Sequence, residues 1–202
     1  MSFDVSAYVK KIVESKPAGG GNPIRDGKYV FAIKSLTIKP SDKKGPEVWF
    51  IAEFFVVSAA PVDVPPEFIL PVGDKNHTPV TTPNTVGSDC SMVVDLNSQM
   101  GPANVKELAA ADLGLKHDQI NDENLSKWLS DNVEVPGGNP TWKATGLANP
   151  LQGRFLALTT RRSLTKTGKN AGKPGIRCNW DHLAQTPSER AAVRAMLQPK
   201  AA

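Results

Sequence analysis

The sequence predicts a mainly β protein with α insertions: five strands forming a small barrel, helices between strands three and four, and helices at the termini. Three observations carry that reading. Gly and Pro contribute 16 and 17 of the 202 residues, a density of breakers that argues against a helical bundle or coiled coil. Five segments rich in β-branched and aromatic residues are separated by turn-forming stretches, and clear helical spacing falls between the third and fourth. The length suits one domain with insertions, at roughly 150 residues per domain.

Taken in order, residues 3–14 place Phe3, Tyr8, Val9, Ile12 and Val13 at loosely helical spacing, as a short helix or docking arm. The run Ala18-Gly19-Gly20-Gly21-Asn22-Pro23 ends any regular element there. Strand one is expected over 28–39. Tyr29, Phe31 and Ile33 share a face, but after Lys34 the apolar positions jump to Leu36 and Ile38. Strict alternation cannot do this without a bend or a bulge. Residues 39–47 form a lysine-bearing hairpin loop, and strand two follows at 48–57, apolar on both faces apart from Glu53, so Trp49 is expected in the core. Residues 58–87 hold six prolines and read as an irregular insertion.

Strand three, 88–96, alternates cleanly: Cys90, Met92, Val94 and Leu96 face one way, Asp89, Ser91, Val93 and Asp95 the other. A helix opens near Pro102 and stops at Gly114, and a second spans 122–131 with Leu125, Trp128 and Leu129 on one face. Strand four is 153–165 and strand five 176–180, joined by the basic loop 166–175. Thr186-Pro187-Ser188-Glu189 is a capping box that begins a last helix. The expected organisation is an arm and linker (1–25), a barrel with its insertions (26–183, including 58–87 and 102–131) and a C-terminal helix (184–202).

Charge is unevenly distributed. Between Glu134 and Asp181 there is no acidic residue, while Lys143, Arg154, Arg161, Arg162, Lys166, Lys169, Lys173 and Arg177 all fall there. Clustered like charge repels itself unless a polyanion neutralises it or water alone solvates the loop. In strand four Phe155, Thr159 and Arg161 share one parity, and Leu156, Leu158 and Arg162 the other. The leucine side suits the core, so Phe155 and Arg161 look outward together. Arg161 and Arg162 take opposite faces, so at most one of them meets a ligand within the strand and the other pairs with a carboxylate or reaches around the rim. Trp180 either stacks on a ligand or packs the core, and the sequence leaves both readings open.

The order of three strands, helix and two strands is that of an OB-fold, which binds oligonucleotides on its strand 2–3 face and between the loops joining strands 1–2 and 4–5. With the opening Asp26-Gly27-Lys28-Tyr29, the Gly153-Arg154-Phe155 start of strand four and the closing Arg177-Cys178-Asn179-Trp180, residues 26–183 resemble the bacteriophage single-stranded DNA-binding proteins of the OB-fold type. The resemblance implies a protein that coats exposed single strands during phage DNA replication, recombination or repair, without strong sequence preference. Its partners would be single-stranded DNA and replication or recombination proteins. Several members of that group carry an acidic C-terminal tail, whereas Arg190–Ala202 here holds no acid. The candidate nucleic-acid-binding residues are Lys39, Lys43, Lys44, Phe155, Arg161, Arg162, Lys166, Lys169, Lys173, Arg177 and Trp180. Cations supply counterion release, and rings supply stacking of roughly 1–3 kcal/mol per base whatever the base.

Two other classes compete. A metal-dependent nuclease would need carboxylate pairs such as Asp89 with Asp95 or Glu47 with Glu53. However, His77, His117 and His182 fall in unrelated segments, and no phosphate-binding glycine motif joins a strand to a helix. A virion or other structural barrel with a basic surface is the remaining alternative. No catalysis and no cofactor are expected. No apolar run approaches the ~18–20 residues of a membrane span, and Met1–Val5 does not begin a signal peptide. With two cysteines far apart in sequence, the expected location is the cytoplasm, that of the host for a phage protein. A homodimer through the N-terminal segment or last helix is one option, capping of the barrel ends the other.

Overall fold

The computed structural model describes residues 22–40, 47–69, 79–98, 100–134, 154–166 and 171–183. The N-terminal helix or arm, the C-terminal helix and the tips of both basic loops lie outside the described residues.

Five strands, β1 (Lys28–Pro40), β2 (Val48–Ala60), β3 (Asp89–Asp95), β4 (Phe155–Leu164) and β5 (Pro174–His182), form one antiparallel sheet in the order β3-β2-β1-β4-β5. Two helices, α1 (Gly101–Leu113) and α2 (Asp122–Asn132), are inserted between β3 and β4. Among the described residues no pairing joins β3 to β5, so the sheet is open where a closed barrel was expected.

The change of face in β1 has a direct structural cause. Ile33 stands opposite Phe54 and Ser35 opposite Glu53, so Lys34 is an extra residue with no counterpart on β2. This bulge lets Tyr29, Phe31 and Ile33 before it and Leu36 after it enter the same core. A second shift between Val30 and Phe31 leaves Val57 of β2 unmatched.

The principal core lies between one sheet face and the helices. Phe31, Phe50, Phe54, Leu156 and Leu158 from the strands meet Val105, Leu108 and Trp128 from the helices. Pro occupies the first turn of α1, where its missing N–H costs nothing. Gly114 ends that helix in the left-handed region, φ 69°. Asn121 and Asn124 cap α2 reciprocally. Trp128 donates its indole N–H to Asp112 at 2.8 Å, and Arg154 pairs with the same carboxylate at 2.9 Å, which ties α2, α1 and the entry to β4 together. Among the described residues no helix is long and apolar enough to cross a membrane.

The start of β1 is pinned by a buried polar network. Asp26 accepts from Arg162 Nε at 2.9 Å and Nη2 at 2.6 Å, and from the backbone and hydroxyl of Thr81, both at 2.9 Å. Arg162 Nη2 also donates to Pro79 C=O at 2.6 Å. The Tyr29 hydroxyl accepts from Asn84 N–H at 3.0 Å and donates to Arg25 C=O at 3.0 Å. Thr160 clasps Gly27 through both backbone groups. A Cβ on Gly27 would stand 2.7 Å from the Tyr29 ring, so glycine is required for that ring to lie across it. The Asp26-Gly27-Lys28-Tyr29 motif therefore anchors the far end of the proline-rich segment to β1 and β4. Burial pushes the Asp26 carboxyl upward, but hydrogen bonds from Arg162 and Thr81, with the Arg162 charge, outweigh it and hold the group below its ordinary value.

Arg162→Met leaves Asp26 buried without its cation and is expected to lower stability by about 3–5 kcal/mol, read from the urea midpoint. A depressed carboxylate pKa adds stability that is fully present above the unfolded value of about 3.9 and is lost as pH falls through the folded value. The wild-type midpoint should therefore fall steeply below about pH 4, and the Asp26→Asn profile should be shallower there.

Candidate nucleic-acid interface

The β4–β5 hairpin determines which basic side chains can meet a ligand. Gly172, at φ 79°, and Lys173 together oppose Thr165: Gly172 N–H donates to Thr165 C=O at 2.8 Å and Thr165 N–H to Lys173 C=O at 2.9 Å. This glycine-containing bulge closes the hairpin. Beyond it the register sets Arg161 directly opposite Arg177. Both are exposed, and neither has a carboxylate partner among the described residues. Residues paired in this way have Cα atoms about 5.5 Å apart, and like charges placed so are destabilising.

Three more cations gather at this end. Lys28 pairs with Thr159, one alternation from Arg161, and is exposed. Lys166 and Lys173 flank the closing bulge and are exposed. Lys28 escaped the sequence reading because its place depends on the β1–β4 register. The available signal was its parity with Val30 and Ala32, opposite to that of the core residues Tyr29 and Phe31.

Other candidate residues lie elsewhere. Arg162, with its side chain 1% exposed, points inward and is bound to Asp26, so it offers no surface charge. It is the strand-four arginine that pairs with a carboxylate. Phe155 shares the outer parity of Arg161, but it is only 8% exposed, in a small cluster with Ala32 and Phe55. Trp180 faces the principal core, with ring centroids 5.2 Å from Phe54 and 6.1 Å from Phe31. Trp49, expected in the core, lies outside both apolar clusters on the alternation shared with Glu53 and Phe55, half-buried between Lys39 and Asp95 of the neighbouring strands.

Lys39 is half-buried and stands near the far end of β1 from Lys28. The base of the β1–β2 loop, Pro40 and Val48, therefore sits at the opposite end of β1 from the β4–β5 hairpin end. Two lysine loops facing each other across one closed sheet are not what this register supports. The tips carrying Lys43, Lys44 and Lys169 lie outside the described residues.

The strand 2–3 part of the outer face is acidic rather than basic. Glu53, Asp89 and Asp95 share its alternation. Glu53 accepts from Ser35 at 2.7 Å, and Asp89 pairs with Lys34 at 2.6 Å. Among the described residues no three His, Cys, Asp or Glu side chains are grouped to hold a metal. A cavity of about 750 Å³ separates the two open sheet edges, with Met92 and Val93 on one wall and Ile176 and Cys178 on the other. Burial pushes the Cys90 and Cys178 thiols up to about 12, which leaves almost no thiolate near neutral pH. Comparison with known proteins finds no matching family model and no matching curated protein.

Proposed function

We propose that the chain binds single-stranded DNA without strong sequence preference, through the cationic end of the β4–β5 hairpin. The observation that carries this reading is the opposed, uncompensated Arg161–Arg177 pair, with Lys28, Lys166 and Lys173 around it. Five exposed cations along this hairpin, with no acid paired to them among the described residues, favour a phosphate backbone, whose neutralisation releases counterions independently of base identity. The acidic outer surface of β2 and β3 repels the same ligand. The strand thus enters from the β4–β5 side rather than lying across the strand 2–3 face that an OB-fold uses. The open sheet, with both edge strands packed on α1, is compatible with the partly open five-stranded barrel of that fold. In the reading carried by the sequence resemblance, the bound strand is one exposed during phage DNA replication or recombination. No catalytic step is assigned.

Titration of labelled oligo-dT against salt tests this. Five phosphate contacts at about 0.7 each predict a slope of log K against log [salt] near −3.5, and Arg161→Ser with Arg177→Ser should flatten it to about −2. Absence of oligo-dT binding at low salt removes the proposal in favour of a structural barrel, and Mg²⁺-dependent strand cleavage favours a nuclease.

The same pair links affinity to stability. Arg161→Thr should raise stability by about 0.2–1 kcal/mol at low salt by relieving the cross-strand repulsion, while weakening oligo-dT binding. A melting curve and a titration on the same sample read both effects. A variant that loses stability would show that Arg161 is held by attractive contacts rather than kept for a ligand.

A further inference from the structure

The seam between the open edge of β5 and the edge of β3, which Pro23 bridges at Ser91, has the chemistry of a peptide-binding groove. On β3, Leu96 N–H donates to Val48 C=O at 2.8 Å and Ser91 N–H to Asn22 C=O at 3.0 Å. Backbone groups of the even-numbered residues therefore turn toward β2, and those of Ser91 and Val93 toward the seam. On β5, the Thr165–Lys173 bond sets the phase so that Gly175, Arg177 and Asn179 address β4, while Ile176 and Cys178 present their N–H and C=O to the open edge. Among the described residues the backbone groups of Val93, Ile176 and Cys178 on this side have no partner.

The side chains around this backbone are apolar where water would otherwise be expected. Val93, Met100, Leu164 and Ile176 line the same cavity, and each is a large hydrophobic that stands exposed: 39%, 46%, 46% and 38%. Among the described residues Lys166 and Arg177 supply its only charges, and no acidic side chain lines it. A residue of β-strand occupies a cell of about 3.3 × 4.8 × 10 Å, so the cavity of about 750 Å³ holds about four or five residues of an added strand.

We propose that this seam binds an extended acidic peptide from a partner protein by strand addition to β5. Backbone hydrogen bonds to Ile176 and Cys178 would give affinity. Alternate apolar side chains would cover Val93, Met100, Leu164 and Ile176, and carboxylates would meet Lys166 and Arg177. Charge complementarity selects acidic partners. The free backbone ladder and the alternation of apolar side chains favour a peptide over a polynucleotide, which lacks both. The proposal does not rest on DNA binding, although Lys166 and Arg177 belong to both surfaces.

The test uses the full chain without nucleic acid and a fluorescein-labelled seven-residue peptide alternating valine with glutamate. Anisotropy should report saturable binding. Ile176→Glu, at an exposed position, should abolish it, and Lys166→Glu with Arg177→Glu should weaken it by about tenfold or more at low salt. The same peptide N-methylated along one hydrogen-bonding edge should not bind. Binding that survives N-methylation, or no binding of the parent peptide, overturns the proposal. So does a concentration-dependent dimer that Ile176→Glu dissolves, which would make a second copy of the chain the occupant of the seam. Loss of oligo-dT binding in Ile176→Glu without any peptide binding would assign the seam to the polynucleotide instead. Oligo-dT binding that fails in the wild type while the peptide binds would remove the DNA reading and leave this one standing.

Discussion

A buried carboxylate–guanidinium pair between residues 136 positions apart sets the geometry of this molecule. Asp26 precedes β1 and Arg162 lies near the end of β4, so their pairing fixes the phase of one strand against the other. Strand alternation then leaves Arg161 no choice but the outer face. The exposed arginine exists as a surface group because its neighbour is consumed in the interior. The pair also recruits Thr81 and Pro79, which holds the far end of a proline-rich segment that has little hydrogen-bonding capacity of its own. Taking two charges out of water gives weak net stabilisation, and its stronger effect is to penalise any other arrangement of these three segments.

How far the sequence could be read depended on the range of the interaction involved. Local signals were sufficient for the change of face at Lys34, the Gly114 stop of α1 and the alternation of Cys90 and Met92, since each needs only its neighbours in the chain. The opposite facing of Arg161 and Arg162 was readable for the same reason. Asp26 as the partner of Arg162, and Lys28 as a neighbour of Arg161, were not readable, because both depend on a register between strands more than a hundred residues apart. Trp49 misled in a different way. A strand apolar on both faces suggests burial on both, but the second face of this sheet carries only a small cluster of its own.

The outer face is electrically divided. Glu53, Asp89 and Asp95 occupy the β2–β3 side, and Arg161 and Arg177 the hairpin end of the β4–β5 side, with Asp181 toward its other end and β1 between the two sides. The Lys34 bulge softens this division, since the extra residue sends a cation to Asp89 and neutralises part of the acidic side locally. An anionic ligand approaching this face meets a gradient rather than a uniform patch, and the gradient selects an edge of the sheet. That edge adjoins the open seam, so one pair of side chains, Lys166 and Arg177, borders both the cationic surface and the apolar groove.

The two thiols have a consequence of a different kind. Cys90 sits in the core and Cys178 is half-buried at the seam, and burial pushes both thiols up to about 12, so almost no reactive sulfur anion is present at neutrality. That anion, and not the protonated thiol, is the nucleophile that attacks peroxide or a disulfide sulfur. Both cysteines therefore sit in the fold as small apolar packing units with little thiolate to offer an oxidant.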